Sequence, residues 1–265
     1  MSVHDLLRYL GGLLFPGAIF SVGSSLALNY AIFYFFFRSR VGRRVFEKNR
    51  HYDYTHTRAD LLREIKHAVV PETIIALILA VMLGTRTASP LSPWIHIRWD
   101  LAWPEVPRIA LEVFVLFWAY EIYYFLVHRI MHYPRLFRHV HSVHHRSRFP
   151  TPFTQTSVNI AEAIIFYSFY VVILFGPFHI LSLLLIGLDI KLASLTQHLG
   201  HEFFPRWMRV TPVVRYLNST RFHQLHHSHS LKRNYGFQTS VLDRVFGTID
   251  AAYLEYERDS SGGGV

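Results

Sequence analysis

The chain contains no cysteine. That excludes disulfides, cysteine-ligated zinc, iron–sulfur clusters, covalently attached haem and thiol nucleophiles, and leaves the compartment open. Charge is also scarce. Only 17% of the 265 residues are Asp, Glu, Lys or Arg, against ~25% in a typical soluble domain. Acid is scarcer than base, 18 residues against 27, a formal charge of +9. Hydrophobic residues make up 51% and aromatics 16%, which excludes a disordered chain. The basic residues flank apolar runs and do not form one stripe, so a nucleic-acid partner is not expected. The excess reads instead as loops facing anionic lipid.

What is present is a series of long apolar runs. Residues 9–37 carry no charge, longer than the ~20 residues that cross a bilayer core and too long for a secretory signal. From Arg38 to Arg50 there are six basic residues and one acid, Glu47. The positive-inside rule makes that segment cytoplasmic and puts the N-terminus outside. A second, shorter run covers 68–84, entered through Pro71 and Glu72. The following loop holds Trp94, Trp99 and Trp103, suited to a membrane–water interface. A third run, 109–127, leads directly into His128.

Residues 163–188 lack Asp, Glu, Lys and Arg and contain Gly176-Pro177 near their middle. They form one tilted span or a hairpin of two; the Gly-Pro break favours the hairpin. A hairpin returns both flanking histidine clusters to the cytoplasmic side. The expected fold is therefore all-α, a multi-pass membrane helical bundle of about four to five spans with a cytoplasmic histidine-rich metal-binding cap. Residues 1–118 supply N-terminal spans and loops, 119–250 a catalytic region including the hairpin, and 251–265 a tail with a frayed SSGGGV end.

Twelve of the 18 histidines fall in three stretches. The first holds His128 and His132, His139, then His141, His144 and His145. The second holds His198 and His201. The third holds His223, His226, His227 and His229. Residues three or four apart share a helix face, and neutral imidazole is the commonest metal ligand. Two HxxHH triplets and one HxxxH pair exceed what one metal takes. With His198, and His201 as a tenth candidate, they supply four to five nitrogens for each of two metals. His139 and His229 read as bystanders.

Imidazole suits zinc, copper and iron. A zincin needs HExxH, which is absent. Carboxylate-bridged di-iron bundles use paired ExxH motifs, and the one here, Glu64 to His67, lies outside the clusters. A zinc deaminase needs cysteine. An all-histidine metal pair at the rim of a membrane bundle remains.

The segments YFLVH128RIMH132, H141SVH144H145 and H223QLH226H227, with N234YG and D243RVFGT, resemble the fatty acid hydroxylase and sterol desaturase superfamily of membrane di-iron oxygenases. The likeness runs over about residues 119–249. It implies two Fe ions, replaceable by zinc in a structure, that use O2 to hydroxylate or desaturate a lipid. Sterols, fatty acyl or sphingoid chains and alkylglycerols are family substrates. It implies a separate electron donor, a haem or ferredoxin-type carrier with its reductase. Carried over by position, the ligands are His128, His132, His141, His144, His145, His198, His223, His226 and His227. A family His-Pro-x-Glu stretch reads N159-I-A-E162 here, matching at Glu162 only.

Acids at membrane depth default to functional roles. Glu121, seven residues before His128 on the same face, is expected to accept the second ring N–H of a ligand histidine. Asp189 reads as a weaker candidate or as a partner of Lys191. Asn234 and Asp243 are candidates for orienting ligands or for capping turns. Basic residues Arg129, Arg135, Arg138, Arg146 and Arg148, with no acid from 128 to 159, suit lipid phosphates, an acidic redox partner or plain cytoplasmic-side charge. Two other classes compete: a histidine-rich metal-binding or transport protein, and a membrane zinc hydrolase.

Overall fold

The computed structural model describes residues 19–84, 96–100, 102–205, 207–208 and 211–261. The start of the first apolar run, Trp94 and residues 262–265 lie outside the described residues. Among the described residues there is no β-strand, only three isolated bridges: Arg50–His201, Arg98–His179 and Leu217–Thr239. The helices are α1 (Ile19–Arg38), α2 (Arg40–Phe46), α3 (Arg58–Gly84), α4 (Val106–Met131), α5 (Ile160–Leu174), α6 (Ile180–Gln197), α7 (Thr220–Ser228), α8 (Val241–Val245) and α9 (Ala251–Ser261).

Among the described residues, three helical segments are long and apolar enough to cross a membrane: Ile19–Arg38, Trp103–Met131 and Ile180–Gln197. The expected count of four to five adds α3, over the 68–84 run, and the first arm of the hairpin. The first arm of the expected hairpin is α5, 15 residues, or about 22 Å at 1.5 Å per residue. Its first turn meets the imidazole cap, where Glu162 binds His141, and it ends just before Gly176-Pro177. The helix over the second apolar run is α3. It starts at Arg58, well before the apolar run at 68–84, because Thr57 and Asp60 cap it. Asp60 N–H donates to Thr57 Oγ1 at 3.1 Å, and Thr57 N–H donates to the Asp60 carboxylate at 3.0 Å. This is the reciprocal arrangement of a capping box. Pro71 sits inside the helix.

The turn after α5 reverses the chain as Gly176-Pro177 suggested. Arg98 N–H donates to Phe178 O, and Ile180 N–H to Arg98 O. Glu112 on α4 accepts from His179 N–H at 2.8 Å and from Ser182 Oγ at 2.7 Å, and Arg98 pairs with Glu105 and Glu112. His179 caps α6 by accepting from Leu181 N–H. These bonds lock α4 to α6 at the end away from the histidines. Between the locks, Leu116, Tyr120 and Tyr124 of α4 pack with Phe169 and Ile173 of α5 and with Leu183, Ile186 and Ile190 of α6. Tyr124 stacks on Phe166 at 4.9 Å and leans on Phe237 at 4.7 Å. In lipid such contacts act by close packing rather than by escape from water.

Residues 251–261 form a docked helix. Tyr253 of α9 is buried edge-on against Phe222 of α7 at 5.0 Å. Tyr256 Oη donates to Glu202 at 2.8 Å. The last helix thus clamps the helix that carries the third histidine cluster.

Candidate metal centre

Four parts of the chain converge. His128 lies in the last turn of α4 and His132 caps it. His141 ends a π-helical turn, Phe137–His141, and His144 and His145 open a 3-10 turn, His144–Arg146. The first triplet is therefore not one regular helix face, as its spacing suggested. His198 caps α6. His223, His226 and His227 lie on α7.

The side chains sort into two groups, with the candidate ligand atoms of each within 4.8 Å of one another. The first is His128, His132, His141, His145 and His226; the second is His144, His198, His223 and His227. Each HxxHH triplet is divided between them. His141 and His145 enter the first group while His144 turns to the second. His223 and His227 enter the second while His226 turns to the first. The two triplets are thus interleaved, and each group depends on both.

The proton count shows what the groups are suited to hold. His128 Nδ1 lies 2.8 Å from Tyr235 O, and His226 Nδ1 2.7 Å from Arg233 O. A carbonyl only accepts, so both rings carry their proton on Nδ1 and turn a bare Nε2 inward. His198 does the same in the second group, donating from Nδ1 to Ser194 O at 2.6 Å. His141 Nδ1 meets the Glu162 carboxylate at 2.7 Å. Inside, His128 Nε2 is 3.1 Å from His141 Nε2, and His226 Nε2 is 3.1 Å from His145 Nε2. In the second group His223 Nε2 is 3.0 Å from both His198 Nε2 and His227 Nε2. Several bare nitrogens facing one another at these distances repel unless a cation sits among them. Buried Nδ1 atoms of His145, His223 and His227 also have no hydrogen-bond partner.

Burial acts in the same direction. It pushes His198 and His226 down to about 4. It holds His141, His144, His145, His223 and His227 well below the ordinary imidazole range, helped by neighbouring imidazoles. All are neutral at pH 7, the protonation state a metal needs. The donor set fits two imidazole-bound metals.

The other expected residues lie elsewhere. His201 joins neither group; its Nδ1 bonds to Leu199 O at 2.7 Å and its ring packs on Phe36 and Phe37. Glu121 does not meet an imidazole. Its carboxylate accepts from Gln238 N–H, Thr239 N–H and Thr239 Oγ1 at 2.8–2.9 Å. Asn234, in the left-handed region at φ 59, donates to Phe222 O and accepts from Asp250 N–H. It ties α7 to the start of α9. Asp243 accepts from Tyr235 N–H, Gly236 N–H and Thr248 Oγ1, and burial pushes it up to about 6. Gly236 is required there, because a Cβ would lie 2.4 Å from Thr239 O. Asn234, Asp243 and Glu121 together fix the loop that offers Tyr235 O to His128. Asp189 accepts from Gln238 Nε2 rather than pairing with Lys191.

Two acids play parts that the sequence reading did not assign. Glu162 orients His141 directly. Its signal was visible, the last acid before a long uncharged run. Glu64 is buried and accepts from Ser147 Oγ at 2.6 Å and from Thr151 Oγ1. It anchors the segment just after His144 and His145. Nothing in the spacing of Glu64 indicated that contact.

A cavity of about 520 Å³ opens from the second group. His144 and His198 line it, together with α5 and α6 residues between Ala163 and Tyr170 and between Leu183 and Ser194. The lining is mostly apolar.

Known proteins are similar to this sequence. The chain is 30% identical over 172 residues to methylsterol monooxygenase 2-2 of Arabidopsis thaliana, covering 63% of this chain and 58% of that protein. It is 31% identical over 172 residues to a very-long-chain aldehyde decarbonylase of Oryza sativa, covering 63% and 58%. It is 29% identical over 146 residues to a Delta(7)-sterol 5(6)-desaturase of Saccharomyces cerevisiae, covering 54% and 37%. The chain thus spans little more than half the length of the first two and less of the third. No solved structure matches. The fatty acid hydroxylase family model matches residues 113–248, which include all nine grouped histidines, and the chain belongs to that family within the fatty acid hydroxylase and sterol desaturase superfamily.

Proposed function

We propose that this chain is a multi-pass membrane oxidoreductase that hydroxylates or desaturates a lipid at an all-histidine di-iron centre, with O2 as co-substrate and electrons from a separate carrier. The observation that carries the reading is the junction of two interleaved imidazole groups with an apolar cavity between membrane-length helices. Two irons bound there would supply O2 activation for attack on an unactivated C–H bond. The chain's own residues set the conditions. Tyr235 O, Arg233 O, Ser194 O and Glu162 fix the tautomers of His128, His226, His198 and His141, so four inward nitrogens are ready to ligate. The tyrosines and phenylalanines of α4 and α5 keep water from the reacting end of the cavity. The cavity meets the second group, so His144 and His198 stand nearest the lipid.

In this reading the centre faces the cytoplasm, beneath the basic segment from Arg38 to Arg50, of a bacterial inner membrane or endoplasmic reticulum. The electron carrier docks on that face, where Arg129, Arg135, Arg138, Arg146 and Arg148 offer an acidic partner a cationic surface. The test is untargeted lipid mass spectrometry on cells expressing the wild type or His226→Ala, with metal analysis of both purified proteins. The expected result is a lipid that gains one oxygen or loses two hydrogens only with the wild type, and two metals per chain. A wild type that binds no metal ends the reading.

A further inference from the structure

Apart from Glu162, which binds His141, the charged residues that line the cavity are Lys191 and Glu72. Lys191 of α6 donates to Glu72 of α3 at 2.9 Å, and its Nζ lies 3.4 Å from Ser25 Oγ of α1. All three residues line the cavity. Glu72 is 5% exposed and Lys191 34%. Glu72 is the only charged residue in its apolar run at 68–84. An ion pair at membrane depth is costly, and well-packed apolar residues usually hold helices together as well or better. Tying α3 to α6 therefore does not account for the pair. An ammonium has three donors; those facing Glu72 and Ser25 leave one for the cavity.

We propose that Lys191 and Glu72 form the hydroxyl subsite of this cavity and select neutral lipid alcohols. The proposal rests on the oxygenase reading only in taking the cavity as the substrate's. A hydroxyl accepts from Lys191 and donates to Glu72 at once. A carboxylate can only accept, and it would stand beside the Glu72 charge. A plain hydrocarbon leaves the lysine donor unanswered. A site built around a hydroxyl rejects the analogue without one far more strongly than an apolar pocket rejects a change in size. Position adds a second constraint. Lys191, Ser194 and His198 all line the cavity, and seven residues of helix separate Lys191 from His198, about 10 Å of axis. The class selected is a lipid whose hydroxyl and oxidised carbon are separated by an apolar stretch.

The test is equilibrium binding to the purified, metal-loaded protein in detergent, without O2 or electron donor. The radiolabelled probes are octadecan-1-ol, octadecane, octadecanoate and cholesterol. The wild type is expected to bind an alcohol at least about tenfold more tightly than octadecane and octadecanoate. The cholesterol arm tells a sterol alcohol from a straight-chain one. The double variant Lys191→Met/Glu72→Leu removes both charges and so leaves no orphan; it is expected to bind octadecan-1-ol and octadecane alike. Gly187→Leu serves as a control independent of the pair. A Cβ there meets nothing within 4 Å, so its side chain enters the cavity and is expected to exclude every probe.

A wild type that holds neither alcohol above octadecane overturns the proposal. So does a folded double variant that keeps the preference, or a Gly187→Leu protein that binds octadecan-1-ol as the wild type does. Metal content of the same samples separates the two readings. Fewer than two metals with the alcohol preference intact sinks the di-iron centre and leaves the subsite standing.

Discussion

The two imidazole groups are built from the same residue type and from the same two triplets, yet they are held differently. In the first, three of the five rings are braced from behind: His128 by Tyr235 O, His226 by Arg233 O and His141 by the Glu162 carboxylate. In the second, one of four is braced, His198 by Ser194 O, whereas His144, His223 and His227 have an unpartnered Nδ1, as His132 and His145 do in the first. The second group also faces the cavity through His144 and His198. The difference teaches a division of labour. The first group is a rigid socket set by backbone and carboxylate. The second sits beside the cavity with fewer of its rings braced.

The sharpest way to break this comparison is to remove a ring from each side. His141→Ala and His227→Ala are each expected to lower the metal count from two to one and to bring lipid turnover to background. The helical circular dichroism should persist, since the packing of α4 on α6 does not involve either ring. If both variants kept two metals, the division into two groups would be wrong. If each lost both, the groups would be one cooperative site.

A gentler perturbation is the brace itself. Glu162→Gln keeps the shape but weakens the hold on His141, and such supporting groups typically change metal affinity by about 10–100-fold. In a chelator titration the wild type should release its metals in two phases, the second group first. The variant should narrow the gap between the phases. A wild type that empties in one phase would remove the distinction between socket and less braced side.

The sequence made most of the ligands legible and little of their bracing. Spacing identified the histidines because i, i+3 and i+4 positions lie close on any helical turn. It did not show that His144 and His226 each leave their own triplet, because the first triplet runs through a π turn and a 3-10 turn. The Gly176-Pro177 reversal was readable from two residues. The start of α3 at Arg58 is set by the local Thr57–Asp60 capping box, which the apolar run at 68–84 obscured, and the polar first half of that helix reaches the segment after His145 through Glu64. Glu121 was read as an orienting acid from its place on the His128 face. Its actual partners, Gln238 and Thr239, are more than a hundred residues away and no local pattern signals them.

Glu121 therefore acts on the socket at one remove. It holds the loop that carries Tyr235. Glu121→Ala is expected to cost about 1–3 kcal/mol in stability by leaving buried N–H groups unanswered. Glu121→Gln keeps one oxygen acceptor and should cost less. Metal content at saturating iron should stay at two in both, with a lower thermal midpoint as the readout. Loss of the first-group metal alone in Glu121→Gln would show that the loop, and not the ring contacts, sets the socket.

The smallest effect is expected at His201, the tenth histidine. It lies three residues from His198 and shares its cluster in the sequence, so it tests whether proximity or geometry defines the second group. Its ring packs at 5.0 Å from Phe37 and 5.5 Å from Phe36, and its one ring hydrogen bond goes back to Leu199 O. Its carbonyl accepts from Thr220 Oγ1 at the start of α7, a bond that any residue at 201 can make. His201→Phe retains the aromatic contacts and loses the ring bond, worth about 1 kcal/mol. Two metals per chain and turnover within twofold of the wild type are the expected outcome. A variant that lost one metal would bring His201 into the second group and make the groups equal in number, which would remove the asymmetry between socket and less braced side.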